Sequence, residues 1–271
     1  MSQYICVDIG GTSIKHGVLD ENAIIKECNQ TKTEAWLGGA AVLDKVKTIG
    51  KQYKEQYENI EGICISTAGM VDPEEGKIVF AGELMPDYTG TCIKKELEKA
   101  LEMPCEVEND VNCAGLAEYV SGSAKESHIM FCATVGTGIG GCAIVNGRVF
   151  HGASNSACEV GYIPMGDSDF QTLGASSILV RKVAEKKIEP LDMWDGKKIF
   201  ALAEKGDKVC ISAIKEMCDV LGKGLATICY VLNPDTIVLG GGIMVQKKIL
   251  ENEIRDSLNR YLRPILAEHL Q

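Results

Sequence analysis

The clearest chemical signal in the sequence is a glycine-rich stretch, because residues 136–141 contain four glycines. Glycines allow a backbone to close around a flat or anionic group. Short apolar runs follow at 142–145 and 148–150, and they are separated by Asn146-Gly147, which is typical of a tight hairpin turn. The stretch is therefore predicted to be a strand, a glycine loop and two further strands, and the loop could hold a phosphate.

The same glycines, Gly136-x-Gly138-x-x-Gly141, also have the spacing of a dinucleotide fingerprint, and Glu159 lies near the place of its ribose-binding acid. That fingerprint needs a helix directly after the glycines to direct its N-terminus at a pyrophosphate. A hairpin is predicted here instead, so this interpretation is not favoured. The G-x-x-x-x-G-K-[ST] pattern of a P-loop is also absent from the sequence.

A second loop, Gly10-Gly11-Thr12, follows a predicted strand at 4–7, with Asp8 just before the glycines. A carboxylate beside a phosphate is repelled unless a cation lies between them, so Asp8 indicates Mg²⁺ held through water. The alternative is an aspartate that caps local backbone amides at the end of a strand. A third loop, Gly240-Gly241-Gly242, lies between a predicted strand and a helix and could hold the rest of a nucleotide.

Asp110 lies where a predicted strand at 105–107 meets a predicted helix at 112–120. Aspartate is common there as a helix cap. In a transferase the same carboxylate would accept the proton of a hydroxyl while a phosphoryl group is transferred in line. Asn109 and Glu159 could hydrogen-bond neighbouring hydroxyls.

The elements that position these residues alternate between strands and helices, which predicts an α/β fold. The two glycine ribbons match each other at an offset of 126 residues, which favours a duplicated unit. Facing glycine loops from two such units would form a cleft for the phosphates of a nucleotide. Domains are predicted at 1–111 and 112–254, with a last helix at about 255–271 that could join the first. Strands are predicted at 4–7, 17–19, 23–25, 62–66, 105–107 and 236–239, and helices at 41–57, 93–101, 112–120, 177–186, 198–204, 209–232 and from about 245.

Composition restricts the class of protein. The 271 residues are 45% hydrophobic and 24% charged, as in an ordinary globular protein, and the net charge is -10. That charge argues against a broad nucleic-acid or anionic-membrane surface. No signal peptide or segment of bilayer-spanning length is apparent, so a cytoplasmic location is expected. The twelve cysteines form no C-x-x-C pair, and most are expected to act as small hydrophobic residues.

Six motifs occur together in one order, and their combination resembles the ROK family of sugar kinases over nearly the whole chain. They are DIGGT at 8–12, STAGMVD at 66–72, ENDVNCAGLAEY at 108–119, TVGTGIGGCAI at 134–144, ACEVGY at 157–162 and LNPDTIVLGGGI at 232–243. The resemblance implies the duplicated actin-like, hexokinase-type fold, which is also ribonuclease H-like, with ATP and Mg²⁺ bound between two domains that close on a sugar.

The resemblance also implies roles for individual residues. Asp110 matches the family's catalytic base, and Asn109 and Glu159 match its sugar ligands. Gly69 matches the loop that closes over the sugar. The two phosphate loops match Gly10, Gly11 and Thr12, and Gly136, Thr137 and Gly138.

Three departures from the family pattern bear on the substrate. Tyr162 replaces the histidine of the usual E-x-G-H motif, and the cysteine-rich zinc loop is replaced by residues 169–174, so no zinc is expected. Tyr162 resembles the subgroup of β-glucoside kinases. Glu83 stands where a sugar-binding asparagine is usual, which indicates an altered pocket. The sequence also stops short of the family's closing Gly/Ala-rich segment.

The expected activity is therefore ATP-dependent phosphorylation of the 6-hydroxyl of a hexose or hexoside, of the glucokinase or β-glucoside kinase type, in a homodimer. The alternatives are an N-acetylmannosamine kinase, and a regulatory or sugar-binding relative without turnover. A DNA-binding head is not expected, since the sequence begins directly with the first strand.

Overall fold

The computed structural model describes residues 2–271. The chain divides into two compact units, Met1–Cys113 and Ala114–Gln271. Each unit has a hydrophobic core of its own. Within residues 2–271, no helix has both the length and the apolar character that crossing a membrane requires.

The first unit, called unit 1 below, contains most of its strands in one sheet. Its elements are β1 (Gln3–Ile9), β2 (Ser13–Asp20), β3 (Ile25–Lys32), α1 (Gly39–Gln56), β4 (Ile60–Thr67), β5 (Met70–Asp72), β6 (Lys77–Phe80), α2 (Ile93–Leu101), β7 (Cys105–Asn109) and the start of α3 (Asp110–Val120).

The sheet of unit 1 has the strand order β3-β2-β1-β4-β7. The first three strands are antiparallel neighbours, whereas β4 is parallel to β1 and β7 is parallel to β4. Alternation along β1 turns Ile5, Val7 and Ile9 into the core and turns the side chains between them to the other face. Helix α1 covers the core face with apolar residues spaced three and four apart.

The second unit, called unit 2 below, begins within α3. Its further elements are β8 (Ile129–Val135), β9 (Ile139–Val145), β10 (Arg148–Val149), β11 (Pro164–Met165), β12 (Ser168–Asp169), α4 (Phe170–Gly174), α5 (Ser176–Lys187), α6 (Gly196–Glu204), α7 (Lys208–Leu232), β13 (Thr236–Gly240), α8 (Lys247–Tyr261) and α9 (Pro264–Ala267).

The sheet of unit 2 has the order β10-β9-β8-β13, with β13 parallel to β8. It repeats the arrangement of unit 1, since two consecutive antiparallel strands lie on one side of the central strand and a parallel strand lies next to it on the other. β8 begins 126 residues after β1 (129 against 3), and β9 begins 126 residues after β2 (139 against 13). The predicted offset and the duplicated α/β fold are both confirmed.

The long helix α7 lies at the centre of the unit 2 core, and it contacts α4, α5, α6 and α8. Its first turn is capped by Asp207, whose carboxylate accepts hydrogen bonds from the amides of Val209 and Cys210 at 3.0 Å each. Its buried residues include Ile214, Cys218 and Leu221. These residues are spaced three and four apart, so they lie on one face of the helix.

Some predicted boundaries were wrong. The third strand was predicted at 23–25 but runs over Ile25–Lys32. It is an edge strand with little burial on either face, so its polar sequence carries no apolar alternation to reveal it. Helix α3 begins at Asp110, before the predicted residue 112. The last long helix is preceded by a 3₁₀ turn at Gly242–Gln246.

Candidate active site

Asp8 lies near the end of β1, on the sheet face opposite the core of unit 1. The residues paired with it on the two neighbouring strands are Lys15 and Ser66. Ser66 Oγ donates a hydrogen bond of 2.8 Å to Asp8 Oδ1, and Lys15 Nζ lies 3.6 Å from Asp8 Oδ2. The two oxygens of one carboxylate are therefore oriented by different neighbours.

The first glycine loop forms the turn between β1 and β2. The amide of Gly10 donates to the carbonyl of Ser13 at 3.1 Å. Thr33, which is fully buried, donates from its hydroxyl to the carbonyl of Gly10 at 2.6 Å and from its amide to the carbonyl of Thr12 at 3.0 Å. These bonds fix two carbonyls of the loop, and they give Gly10, Gly11 and Thr12 a defined shape before any ligand binds.

The junction of β7 and α3 brings Asn109 and Asp110 together. Asn109 Oδ1 accepts from the amides of Val111 at 2.9 Å and Asn112 at 3.1 Å, so Asn109 caps the helix. Asp110 Oδ1 also accepts from the amide of Val111 at 2.9 Å, and it accepts from Asn109 Nδ2 at 3.1 Å. Most of the capping duty anticipated for Asp110 is therefore carried by its neighbour.

The environment of Asp110 favours its protonated form. Asp110 has solvent-accessible surface, but the surrounding protein removes part of the hydration of its carboxylate. This loss of hydration raises the pKa of Asp110. The negative charge of Asp8 raises the pKa further, while the hydrogen bonds from Val111 and Asn109 oppose the shift. A carboxylate with a raised pKa is a stronger base once it is ionised.

The loop after β4 is tied to the same junction. Asn109 Nδ2 donates to the carbonyl of Gly69 at 2.9 Å. Gly69 has φ +101°, and a Cβ at this position would lie 2.7 Å from the carbonyl oxygen of Phe80, so only glycine fits without strain. The buried hydroxyls of Thr67 and Tyr88 are hydrogen-bonded at 2.8 Å beside this loop. The amide of Asn109 therefore holds both the loop at Gly69 and the residue expected to be the base.

In unit 2 the second glycine loop is held from the start of α5. The carbonyl of Gly136 accepts from the amide of Ser176 at 2.9 Å and from its hydroxyl at 2.6 Å. The hydroxyl of Ser177 donates to the carbonyl of Thr137 at 2.7 Å. Both carbonyls are thus directed towards the helix, and an anion at the loop would not face their negative ends.

A cavity of about 740 Å³ lies beside this loop within unit 2. Its lining includes Gly136 and Thr137 of the second loop and Gly242 of the third, and it continues along Lys197 and Gln246. Gly241 has φ +93°, and a Cβ there would lie 2.3 Å from the carbonyl oxygen of Val135, so the third loop passes directly over the end of β8. Two of the predicted nucleotide loops therefore share one cavity, whereas Gly138, Gly240 and Gly241 are not among its lining residues.

The remaining predicted site residues lie on exposed turns. Glu159 directly precedes the 3₁₀ turn Val160–Tyr162, and Tyr162 is 58% exposed. Glu83 lies on the exposed connection between β6 and α2. Of residues 169–174, which replace the zinc loop, Phe170–Gly174 form helix α4, and Asp169 caps it by accepting from the amide of Thr172 at 2.7 Å.

The surroundings of Asp8 are compatible with the expected role of holding Mg²⁺ through water. Its side chain is 42% exposed, which leaves room for water beside the carboxylate. One carboxylate together with water and phosphate oxygens is a common arrangement for this ion. A dedicated cage of protein ligands is a different kind of site, and residues 2–271 contain no group of three His, Cys, Asp or Glu side chains placed to form one.

Four residues that support the site were not predicted from the sequence: Thr33, Ser66, Ser176 and Ser177. Each makes its bond through a hydroxyl to a partner 23 to 58 positions away along the chain. The only available signal was position in the sequence: Ser66 is in the STAGMVD motif, Ser177 begins the helix predicted at 177–186, and Ser176 directly precedes it.

Known proteins resemble this chain along almost its whole length. The ROK family model matches residues 4–270. An uncharacterized protein of Clostridium perfringens is 46% identical over 263 residues, which cover 97% of this chain and 88% of that protein. The β-glucoside kinase of Klebsiella pneumoniae is 31% identical over 245 residues, which cover 88% of this chain and 80% of that kinase.

Among solved structures, a ROK family glucokinase from Streptomyces griseus in complex with glucose and AMPPNP superposes with a TM-score of 0.83 at 27% identity. The match covers 96% of this chain and 90% of the glucokinase. The fold predicted from the six motifs and the family model agree with this superposition. The chain therefore belongs to the ROK family and has the two-domain fold of its hexokinase-type sugar kinases.

Proposed function

We propose that this protein is an ATP-dependent sugar kinase that transfers the γ-phosphoryl group to the 6-hydroxyl of a hexose or hexoside, as a glucokinase or β-glucoside kinase does. The observation that carries the proposal is the junction at the head of α3. There Asn109 takes over the capping of the helix, and Asp110 retains a carboxylate with a raised pKa near Asp8. Membership of the ROK family and the named relatives support the same activity.

In unit 1, Asp110 accepts the proton of the acceptor hydroxyl as the oxygen attacks phosphorus. Asn109 orients that base through its 3.1 Å hydrogen bond, and it holds the Gly69 loop at the same time. Glu83, Glu159 and Tyr162 are each proposed as contacts of the sugar. An acidic residue at 83 and a tyrosine at 162 would select among sugars by their hydroxyl pattern or by a substituent on the ring.

In unit 2, the cavity beside Gly136, Thr137 and Gly242 is proposed to bind the nucleotide. Ser176 and Ser177 keep the carbonyls of the loop turned away from the phosphates. Asp8 would hold Mg²⁺ through water, and such an ion would supply neutralisation of phosphate charge.

An assay of ADP release tests the proposal directly. The panel of acceptors is glucose, cellobiose, mannose, fructose and N-acetylmannosamine, each with ATP and Mg²⁺. Release of ADP with glucose or a β-glucoside above the rate without sugar is expected. If ADP is released with N-acetylmannosamine and with no other sugar, N-acetylmannosamine replaces the proposed acceptor. If a sugar binds but no sugar of the panel leads to ADP release, the protein is a non-catalytic sugar-binding protein.

Asp110→Asn is the variant that tests the base. We expect kcat to fall by roughly 10²- to 10⁴-fold, because the amide cannot accept the hydroxyl proton. Sugar affinity, measured by calorimetry, should stay close to that of the wild type. Asp44→Asn is the matched control, since Asp44 is a 77% exposed carboxylate on α1 of the same unit. Full turnover by Asp110→Asn would refute the assignment of the base.

A further inference from the structure

Two of the twelve cysteines face each other on the sheet of unit 1. Cys6 on β1 and Cys64 on β4 are direct partners in the parallel pairing of these strands. Their side chains lie on the face opposite the hydrophobic core, since the buried residues of β1 alternate with Cys6 and those of β4 flank Cys64. Cys64 is exposed and Cys6 is half-buried.

The direct pairing of Cys6 and Cys64 places the two thiols side by side on this face, on adjacent strands of the same sheet. The pair consists of an exposed cysteine, Cys64, and a half-buried neighbour, Cys6, directly beside it. This is the arrangement expected of an attacking thiolate beside a resolving thiol.

We propose that Cys6 and Cys64 form an oxidisable dithiol, which hydrogen peroxide converts into a disulfide between β1 and β4. Cys6 and Cys64 lie on the same face of the sheet as Asp8 and Ser66, two residues before each along its strand, and the proposal does not depend on the kinase activity.

The backbone geometry is compatible with this bond. Neighbouring strands lie about 4.7–4.9 Å apart, and disulfides form between residues whose Cα atoms are about 4.4–6.8 Å apart. Residues that are direct partners on adjacent strands therefore fall within the required separation. Closure needs the two sulfurs to approach to the S–S bond length of about 2.05 Å, which side-chain rotation can supply.

The chemistry is balanced with one molecule of peroxide. The Cys64 thiolate attacks one oxygen of hydrogen peroxide, the O–O bond breaks, hydroxide leaves, and a sulfenic acid remains on Cys64. The sulfur of Cys6 then attacks the sulfenic sulfur, the S–O bond breaks, and a second hydroxide leaves as the disulfide forms. Each hydroxide takes up one proton, from the two original thiols. Two electrons pass from the sulfurs to the peroxide, which leaves as two molecules of water.

The surroundings distinguish this pair from the other cysteines. Cys28 is also exposed, but it lies on the edge strand β3 and is paired with Gly17 of β2. Cys105, Cys132, Cys142, Cys210, Cys218 and Cys229 are buried. Cys113 is half-buried and close enough to influence the charge on Cys6, so it is the competing partner. Peroxide should therefore reach Cys64 first. The decisive observation is which cysteine is joined to Cys64 in the disulfide that forms.

The test uses the reduced, full-length protein treated with hydrogen peroxide, alkylated and digested with trypsin without reduction. Cys6 is the only cysteine in the tryptic peptide 1–15, and Cys64 is the only one in the peptide 55–77. We expect the loss of two of the twelve free thiols and the appearance of these two peptides joined, lighter by two hydrogen atoms than their sum. Dithiothreitol should restore both thiols.

Three variants complete the test. Cys64→Ser should keep both remaining candidates, Cys6 and Cys113, reduced at the same dose of peroxide. Cys6→Ser should leave a sulfenic acid on Cys64 that dimedone captures, and Cys28→Ser should form the cross-link as the wild type does. The proposal is overturned if the wild-type peptide 55–77 is joined to the peptide of Cys113, or if Cys64 is oxidised to a sulfinic acid without any cross-link. The peptides of the oxidised wild-type protein decide the question by themselves, so the test still holds if one of the variants fails to fold.

Discussion

Asp8 is held between a hydroxyl and an ammonium group, one on each oxygen. A carboxylate on a strand can rotate about its side-chain bonds, and the bond from Ser66 restricts that rotation. If Asp8 acts on Mg²⁺ through water, its orientation decides where the water lies. Ser66 is therefore a positioning residue in the proposed site, and it acts through Asp8.

Ser66→Ala should weaken the binding of Mg²⁺-nucleotide by roughly tenfold, because it removes a hydrogen bond to a charged group. Ser66→Thr keeps the hydroxyl and should recover most of the loss. Calorimetry with Mg²⁺ and AMPPNP measures binding without turnover, and the Mg²⁺ dependence of the rate gives a second reading. Ser154→Ala, at an exposed serine of unit 2, is the control. Equal affinities in Ser66→Ala and the control would contradict the role given to Ser66.

The raised pKa of Asp110 predicts the acid limb of the pH–rate profile. The base works only when ionised, so kcat/KM should fall as the pH drops through the pKa of Asp110, which lies above the ordinary value of about 3.9. Asp8→Asn removes a negative charge that helps to raise this pKa. In that variant the residual activity should fall at a lower pH than in the wild type, although not as low as for a free aspartate, because the loss of hydration remains. An acid limb at the same pH in both proteins would contradict the coupling.

The same shift affects stability. A carboxyl group whose pKa is higher in the folded state than in the unfolded state binds its proton more tightly when folded. Its stabilising contribution is present at pH values below the unfolded pKa and is lost as the pH rises through the folded pKa. At neutral pH, Asp110→Asn should therefore raise the Tm while it lowers turnover, because asparagine keeps an oxygen to accept from Val111 and carries no charge. Thermal unfolding at pH 7 and pH 4 checks the sign, since the gain should be smaller at the lower pH.

At the scale of elements, each phosphate loop is shaped by an element that lies elsewhere in the sequence. Thr33 follows β3 and fixes the loop between β1 and β2, and the start of α5 fixes the loop between β8 and β9. The loops themselves were predicted from their glycines and the hairpins that follow, because glycine and Asn-Gly act locally. The residues that hold them were not predicted, since a hydroxyl 23 or 40 positions away reaches its carbonyl only in the folded unit.

The junction at α3 shows the same limit at shorter range. The sequence predicted that a strand delivers Asn109 and Asp110 to the head of a helix, and this is confirmed. Only Asp110 was considered as the cap, although asparagine is as good a cap as aspartate. The answer depends on backbone direction at the end of β7, and the distances identify Asn109 as the residue that bonds two amides.

The support from α5 can be tested by removing both hydroxyls. In Ser176→Ala/Ser177→Ala the carbonyls of Gly136 and Thr137 lose two donors, although the amide of Ser176 still bonds Gly136. The KM for ATP should rise roughly tenfold, since each neutral hydrogen bond contributes about 1 kcal/mol, and the KM for sugar should change little. Ser212→Ala, on α7 of the same unit, is the control. A rise in the KM for sugar equal to that for ATP would show that the serines do not act through the nucleotide loop.

At the scale of the whole molecule, one duplicated arrangement of strands carries two different sets of groups. The central strands β1 and β8 both end at a glycine loop, but unit 1 places Asp8 and Asp110 near each other, whereas unit 2 has the 740 Å³ cavity beside its loop. Each unit has its own core, so a ligand held by one unit should stabilise that unit more than the other.

Nucleotide binding should therefore stabilise the two units to different extents in an unfolding experiment on the full chain. ADP at roughly 100 times its Kd adds about 2.7 kcal/mol to the free energy of unfolding of the part that binds it. Hydrogen exchange followed by mass spectrometry in increasing urea reports each unit through its own peptides. We expect ADP to move the midpoint of peptides from β8, α5 and α7 further than that of peptides from β1, β4 and α1, because the proposed nucleotide cavity is lined by residues of unit 2 alone. An equal shift of the urea midpoint in both sets of peptides would mean that the two units unfold together. A larger shift in the peptides of unit 1 would contradict the assignment of the nucleotide to unit 2.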